Sequence, residues 1–212
     1  TLDQWGDYYM AIGLKKAFAE LGVEAHLFMH GVSRDRTSGY PIHLYLRGIK
    51  PFDLVHEGLR FMWLISHPDR VELSELAQYD HCFIASKTYL RHLRHPGVTN
   101  TSLLLQCTDT DFYPPCEDTI AKSLPNLYIG HARDQGRLVP DAIADGVVKS
   151  VKVVGQGWDG RISQDRLFHH LYPYDELFHL YHAATHIVID HHQDMRESGF
   201  VSNKVFDVLS SG

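Results

Sequence analysis

Apolar residues recur along this chain in two alternating rhythms. Tyr8, Ala11, Leu14, Phe18 and Leu21 follow one another at three- and four-residue steps, which predicts an amphipathic helix, with Gly22 placed to stop it. Short apolar runs predict strands at 23–28, 42–46, 61–66, 81–85 and 102–106, and helices are expected at 73–78 and 88–92. From Cys107 to Pro125 the texture becomes polar and proline-bearing, without period, and a domain junction is expected there. Alternation then resumes, with strands at 127–130, 150–154 and 186–190 and helices at 139–147, 174–184 and 203–210. Such alternation predicts parallel sheets with helices on both faces, in two α/β half-domains with a ligand cleft at the carboxyl ends of strands.

The last junction carries the most chemistry. An apolar run ending at Asp190 leads through the polar stretch HHQDMRESGFVS into a helix starting at Asn203. A strand, a loop and a helix N-terminus gather unpaired N–H groups and the positive end of a dipole, which suits a phosphate or diphosphate. Lys204 in the first turn is disfavoured by that dipole unless an anion binds there. A solvated loop before a surface helix is the plainer alternative.

Composition narrows the classes. At 212 residues and 44% hydrophobic, the chain is long enough for one large domain or two small ones. Its net charge of −6, with scattered Lys and Arg, excludes a basic nucleic-acid stripe. Three cysteines without CxxC spacing fit a reducing, cytoplasmic compartment better than a disulfide scaffold. No run reaches the roughly 18 apolar residues of a membrane span. The helix-then-strand start at Thr1 and the stop just after a helix suggest a fragment lacking its first strand and its C-terminal end.

Four segments in order carry a family resemblance: Trp5-Gly6-Asp7-Tyr8, Ile65-Ser66-His67-Pro68-Asp69-Arg70, the stretch from Leu105 to Pro114, and Gly199-Phe200-Val201-Ser202-Asn203-Lys204-Val205-Phe206-Asp207-Val208-Leu209. Together they resemble the GT-B glycosyltransferases of the "group 1" type. The resemblance implies two Rossmann-like domains facing across a cleft: an acceptor-side domain at 1–116 and a nucleotide-sugar domain at 117–212. It implies a hexosyltransferase that moves a sugar from a nucleoside-diphosphate sugar to an acceptor hydroxyl, in surface polysaccharide or glycoconjugate synthesis. A sugar-nucleotide epimerase or hydrolase of the same fold, and a degenerate binding domain, are the alternatives. Neither nucleic acid nor a transmembrane segment is expected to be involved.

By the same resemblance, Arg133 neutralises the donor diphosphate, and Ser202, Asn203 and Lys204 contact it. Asp207 holds the ribose, Gly199 stands where the family carries its partner acid, and Phe200 lies beside it. His67 is expected near the transferred sugar, with Asp69 facing the cleft. Asp7 is either an N-cap or the base that deprotonates the acceptor, and Gly6 lets the backbone approach phosphate. Asp190, His191, His192 and Asp194 invite a metal reading, but adjacent histidines on an extended chain point apart, so neither a metal nor another cofactor is expected.

Overall fold

The computed structural model describes residues 6–32, 34–94, 96–116, 121–132, 138–169 and 172–212, with residues 34 and 35 described by backbone alone. The protein is α/β, and its strands form two four-stranded sheets in which every pairing is parallel. Two compact units result. The first comprises Asp7–Gln106 and Asp194–Val201; the second comprises Thr1–Gly6, Cys107–Gln193 and Ser202–Gly212. The chain thus changes unit at 106/107, upstream of the expected 116/117 division, and 194–201 belongs with the first unit.

In the first unit, α1 (Gly6–Glu20) ends where Val23 N–H donates to the Phe18 carbonyl at 2.8 Å and Gly22 adopts φ +74°. No residue of α1 is fully buried. The strand expected at 23–28 does not form. Strand β1 remains the edge of the sheet, since the segment does not pair with it, and His26 and Phe28 instead set their rings against Tyr40. The chain continues through α2 (Arg34–Thr37), β1 (Ile42–Arg47), β2 (Leu59–Leu64), a 3-10 turn (Pro68–Arg70), α3 (Leu73–Leu76), β3 (His81–Ile84), α4 (Lys87–Arg94) and β4 (Thr101–Leu103), and the strands pair in chain order. Met62, Leu64, Cys82 and Ile84 pack with Leu76, Leu90 and Leu93 from α3 and α4, joined by Met195 and Phe200. Burying these two side chains gives 194–201 its place in this unit.

One charge is enclosed here. Arg47, at the end of β1, is 0% exposed. Its Nε and Nη2 donate to Glu75 Oε1 and Oε2 at 2.7 and 3.1 Å, and it also donates to the carbonyls of Gly48 and Arg70. A buried guanidinium is tolerable only when paired and hydrogen-bonded to this degree. The pair ties α3 and the 66–72 loop to the end of β1.

The second unit contains β5 (Leu124–Ile129), α5 (Leu138–Ala144), β6 (Lys152–Val154), β7 (Leu167–His169), a 3-10 turn (Tyr174–Glu176), α6 (Leu177–Ala183), β8 (Ala184–Val188) and α8 (Asn203–Ser211). A further short helix, α7 (Gln193–Glu197), begins at the unit boundary. Neither β7 nor α7 is anticipated from the sequence pattern. The strand order is β7-β6-β5-β8. Both faces are covered: Leu127, Ile129 and Val154 pack with Leu177, Leu180 and Tyr181 of α6, and Tyr128, Val151 and Val153 pack with Ile143 of α5 and with Trp158. Residues adjacent along a strand point to opposite faces, so near-continuous apolar runs belong in a sheet covered on both sides. Among the described residues no helix is long and apolar enough to cross a membrane.

Because Glu75 neutralises a fully buried guanidinium, Glu75→Gln should destabilise the protein by about 3 kcal/mol. Urea unfolding measures this, and an unchanged midpoint would mean that the charge is compensated elsewhere.

Candidate functional site

Parallel pairing brings every strand of a sheet out at the same edge, so the loops that follow the strands collect there. In the first unit that edge holds Gly48 after β1 and Ser66-His67 after β2. Asp7, in the first turn of α1, lies against Gly48: a Cβ at Gly48 would stand 2.8 Å from Asp7 Oδ2 and 3.8 Å from Ser66 Oγ. Asp7 is an exposed residue by surface area, yet the protein packed around its carboxyl raises its pKa by desolvation. It lies within the helical turn, not before it.

His67 adopts a left-handed conformation, φ 52° and ψ 55°, and Pro68 follows it. A non-glycine residue in that region costs roughly 1 kcal/mol or more and persists only where its surroundings dictate it. Here Arg70 N–H donates to the His67 carbonyl at 3.1 Å, Tyr89 Oη–H donates to the Pro68 carbonyl at 3.2 Å, and Arg47 grips the Arg70 carbonyl. The turn directs His67 and Asp69 towards Asp194 of α7. His67 Nδ1 is 3.6 Å from Asp194 Oδ2, and one donor atom from each of the three residues lies within 4.8 Å of the others. Burial raises the Asp69 pKa, and the hydrogen bond and charge of Asp194 raise it further, against the opposing Arg70 and His67.

Gly199 and Phe200 also belong to this unit, but to its packing. Gly199 has φ +70°, and a Cβ there would come within 2.8 Å of Thr88 Oγ1. Phe200 is buried against Tyr89, and Ser86 Oγ donates to the Ser198 carbonyl at 2.6 Å. These two positions fix α7 against α4.

In the second unit, the strand order places the β5–β6 connection and the approach to β8 on opposite sides of β5. The crevice outside the carboxyl ends of β5 and β8 is therefore a topological switch point, the usual ligand position in such sheets. The backbone there is closely packed. A Cβ at Gly155, which has φ +149°, would collide with the Gly130 carbonyl oxygen at 2.2 Å, and Trp158 Nε1–H donates to that same oxygen at 2.8 Å. Helix α8 starts at this edge. Lys204 Nζ donates to the Ile129 carbonyl, the last residue of β5. Ser202, the N-cap, uses its backbone N–H on His191 Nε2 at 2.9 Å and makes no side-chain cap, while Asn203 Oδ1 is enclosed without a hydrogen-bond donor.

Asp207, on the same helix, takes a different direction. It is 3% exposed and accepts a 2.6 Å hydrogen bond from Thr108 Oγ1. Burial pushes its pKa up to about 6, although the Thr108 bond and the Lys204 charge both pull downwards. The carboxylate expected on a ribose is thus an interior group, one turn along from Lys204 on the helix face that meets the core. Gly6 is counted with this unit, and a Cβ there would lie 3.3 Å from the Tyr174 hydroxyl. Arg133 lies outside the described residues.

No family model matches this chain, and no curated protein matches it. The site therefore stands on its own geometry. Asp194 is the residue that reasoning along the chain missed. It was visible only as one member of a His/Asp run, and of that run it alone joins His67 and Asp69, while His191 serves the α8 N-terminus. Gly130 and Gly155, each at a predicted strand end, were the available signals for the second edge.

Asp207 supplies a test through pH. Its folded pKa of about 6 lies above the unfolded value near 3.9, so the folded state binds the proton more tightly, and the contribution present below about pH 4 is lost as pH rises through 6. Asp207→Asn, which keeps an acceptor for Thr108, should gain on the wild type by about 3 kcal/mol between pH 4 and pH 7. Denaturant midpoints across that range measure the gap, and a constant gap would place the titration elsewhere.

Proposed function

We propose that the protein is a glycosyltransferase of the GT-B type. It moves a hexosyl group from a nucleoside-diphosphate sugar to an acceptor hydroxyl, in the synthesis of a surface polysaccharide or glycoconjugate. The observation that carries this reading is the switch point of the second unit, where the β7-β6-β5-β8 order opens a crevice beside β5 and α8 begins with Lys204 tethered to the end of β5. A diphosphate is the ligand that such an edge favours. The helix N-terminus offers N–H groups and a positive dipole, and the ammonium offsets the charge that grows as the glycosidic bond breaks. An interaction that strengthens with that charge lowers the barrier more than it tightens the ground state.

The remaining roles follow the chemistry. Ser202 and Asn203 complete the phosphate contacts, and Arg133 supplies the second cation. Asp7, with its raised pKa, is suited to take the proton of the acceptor hydroxyl in an inverting transfer. Cys82, Cys107 and Cys116 are all free thiols, in keeping with a reducing, cytoplasmic setting. A sugar-nucleotide hydrolase or epimerase is the second reading, favoured by the convergence of His67, Asp69 and Asp194. Product analysis with donor alone separates the two, since a transferase releases sugar only slowly without acceptor.

Calorimetric titration with UDP, GDP, dTDP, ADP and CMP, without and with a divalent metal, tests the donor site. One diphosphate should bind with a Kd on the order of 1 μM, and Lys204→Ala should weaken it at least ~10-fold by removing a charged hydrogen-bond donor. Binding by none of the five would overturn the donor reading.

A further inference from the structure

We propose that His67, Asp69 and Asp194 form a binding site for a divalent first-row transition-metal ion at the carboxyl edge of the first unit's sheet. The inference does not rest on the donor reading, which concerns the other unit.

Geometry is the first ground. One imidazole nitrogen and two carboxylate oxygens already lie within 4.8 Å of one another. Ligand distances near 2.0–2.2 Å set neighbouring donors roughly 3–3.5 Å apart, so small side-chain rotations would close the set on an ion. An imidazole with two carboxylates suits Mn2+, Fe2+, Co2+ or Zn2+ better than Ca2+, which takes oxygen ligands, and three protein ligands leave positions for substrate oxygens.

Electrostatics is the second. Asp69 and Asp194 face each other as two groups that, when ionised, only accept hydrogen bonds. Asp194 Oδ2 is enclosed, yet no hydrogen bond reaches it, because His67 Nδ1 at 3.6 Å is beyond bonding range. Such a pair needs either a shared proton or a cation between its members, and the adjacent imidazole makes the cation the better match. Asp69 is exposed, which leaves the ion a path from solvent.

Rigidity is the third. The ligands come from two segments held by unrelated devices. Arg47 and Tyr89 fix the left-handed turn at His67, while Met195 and Phe200 in the core and the Ser86–Ser198 hydrogen bond fix α7. Ligands held by packing and outer hydrogen bonds are what a metal site requires.

Co2+ is the probe, because its visible d–d absorption reports coordination directly. Titration of the whole chain without nucleotide should show a single saturable site, and Asp69→Asn, Asp194→Asn and His67→Asn should each weaken it at least ~10-fold. Asparagine at position 67 tolerates the left-handed backbone, so that variant keeps the turn. In parallel, Zn2+ should raise the wild-type Tm and leave the Tm of each variant unmoved, which separates lost ligation from lost folding. Absence of a saturable Co2+ site would overturn the proposal and leave a proton-sharing carboxyl pair. Binding equal in the wild type and all three variants would overturn it as well, assigning the ion to other histidines.

Discussion

Parallel strand pairing is the constraint from which the rest of this protein follows. Parallel neighbours cannot be joined by a tight hairpin, so the chain must cross back after each strand and every carboxyl end emerges on one side of its sheet. In the first unit this brings Gly48, Ser66 and His67 to one edge, where Asp7 lies against Gly48. In the second it aligns Gly130 with Gly155 and brings out the residues that directly follow β8 at the same edge. Polar side chains gather there because the sheet faces are committed to apolar packing.

Three enclosed ionisable groups show how differently such charge can be accommodated. Arg47 is satisfied completely, by a two-point pair with Glu75 and by two carbonyls, and it serves as a clamp on the loop beside it. Asp207 has one strong donor, Thr108, and remains desolvated enough that its pKa rises. Asp194 has no donor to its inner oxygen and faces a second carboxylate. That order, from saturated to unsatisfied, runs from structural support towards chemistry, because only an unsatisfied group retains interaction energy for a ligand.

Much of the architecture was legible along the chain. Strands β1, β2, β3, β5 and β6 and helix α8 lie where apolar runs and periodicity predict them, with ends displaced by no more than three residues. The segment at 23–28 has the composition of a strand and forms none, since a strand exists only when a neighbour completes its hydrogen bonds. Strand β7 was overlooked because three residues, Leu167, Phe168 and His169, carry too short a pattern to register. Among the site residues, His67, Asp69 and Lys204 stand at strand ends or a helix start, where local reasoning places them.

The local pattern of residues settled the α/β alternation, the character of each sheet face and the polar edge after the strands. These depend on side-chain spacing within one element, and that spacing is written in consecutive residues. Long-range packing settled the β7-β6-β5-β8 order, the inward turn of Asp207 onto Thr108, the burial of Phe200 in the first unit and the meeting of Asp194 with His67 and Asp69. Each of these joins residues far apart in the chain, and the free energy that selects them comes from burying surfaces which meet only in the folded protein.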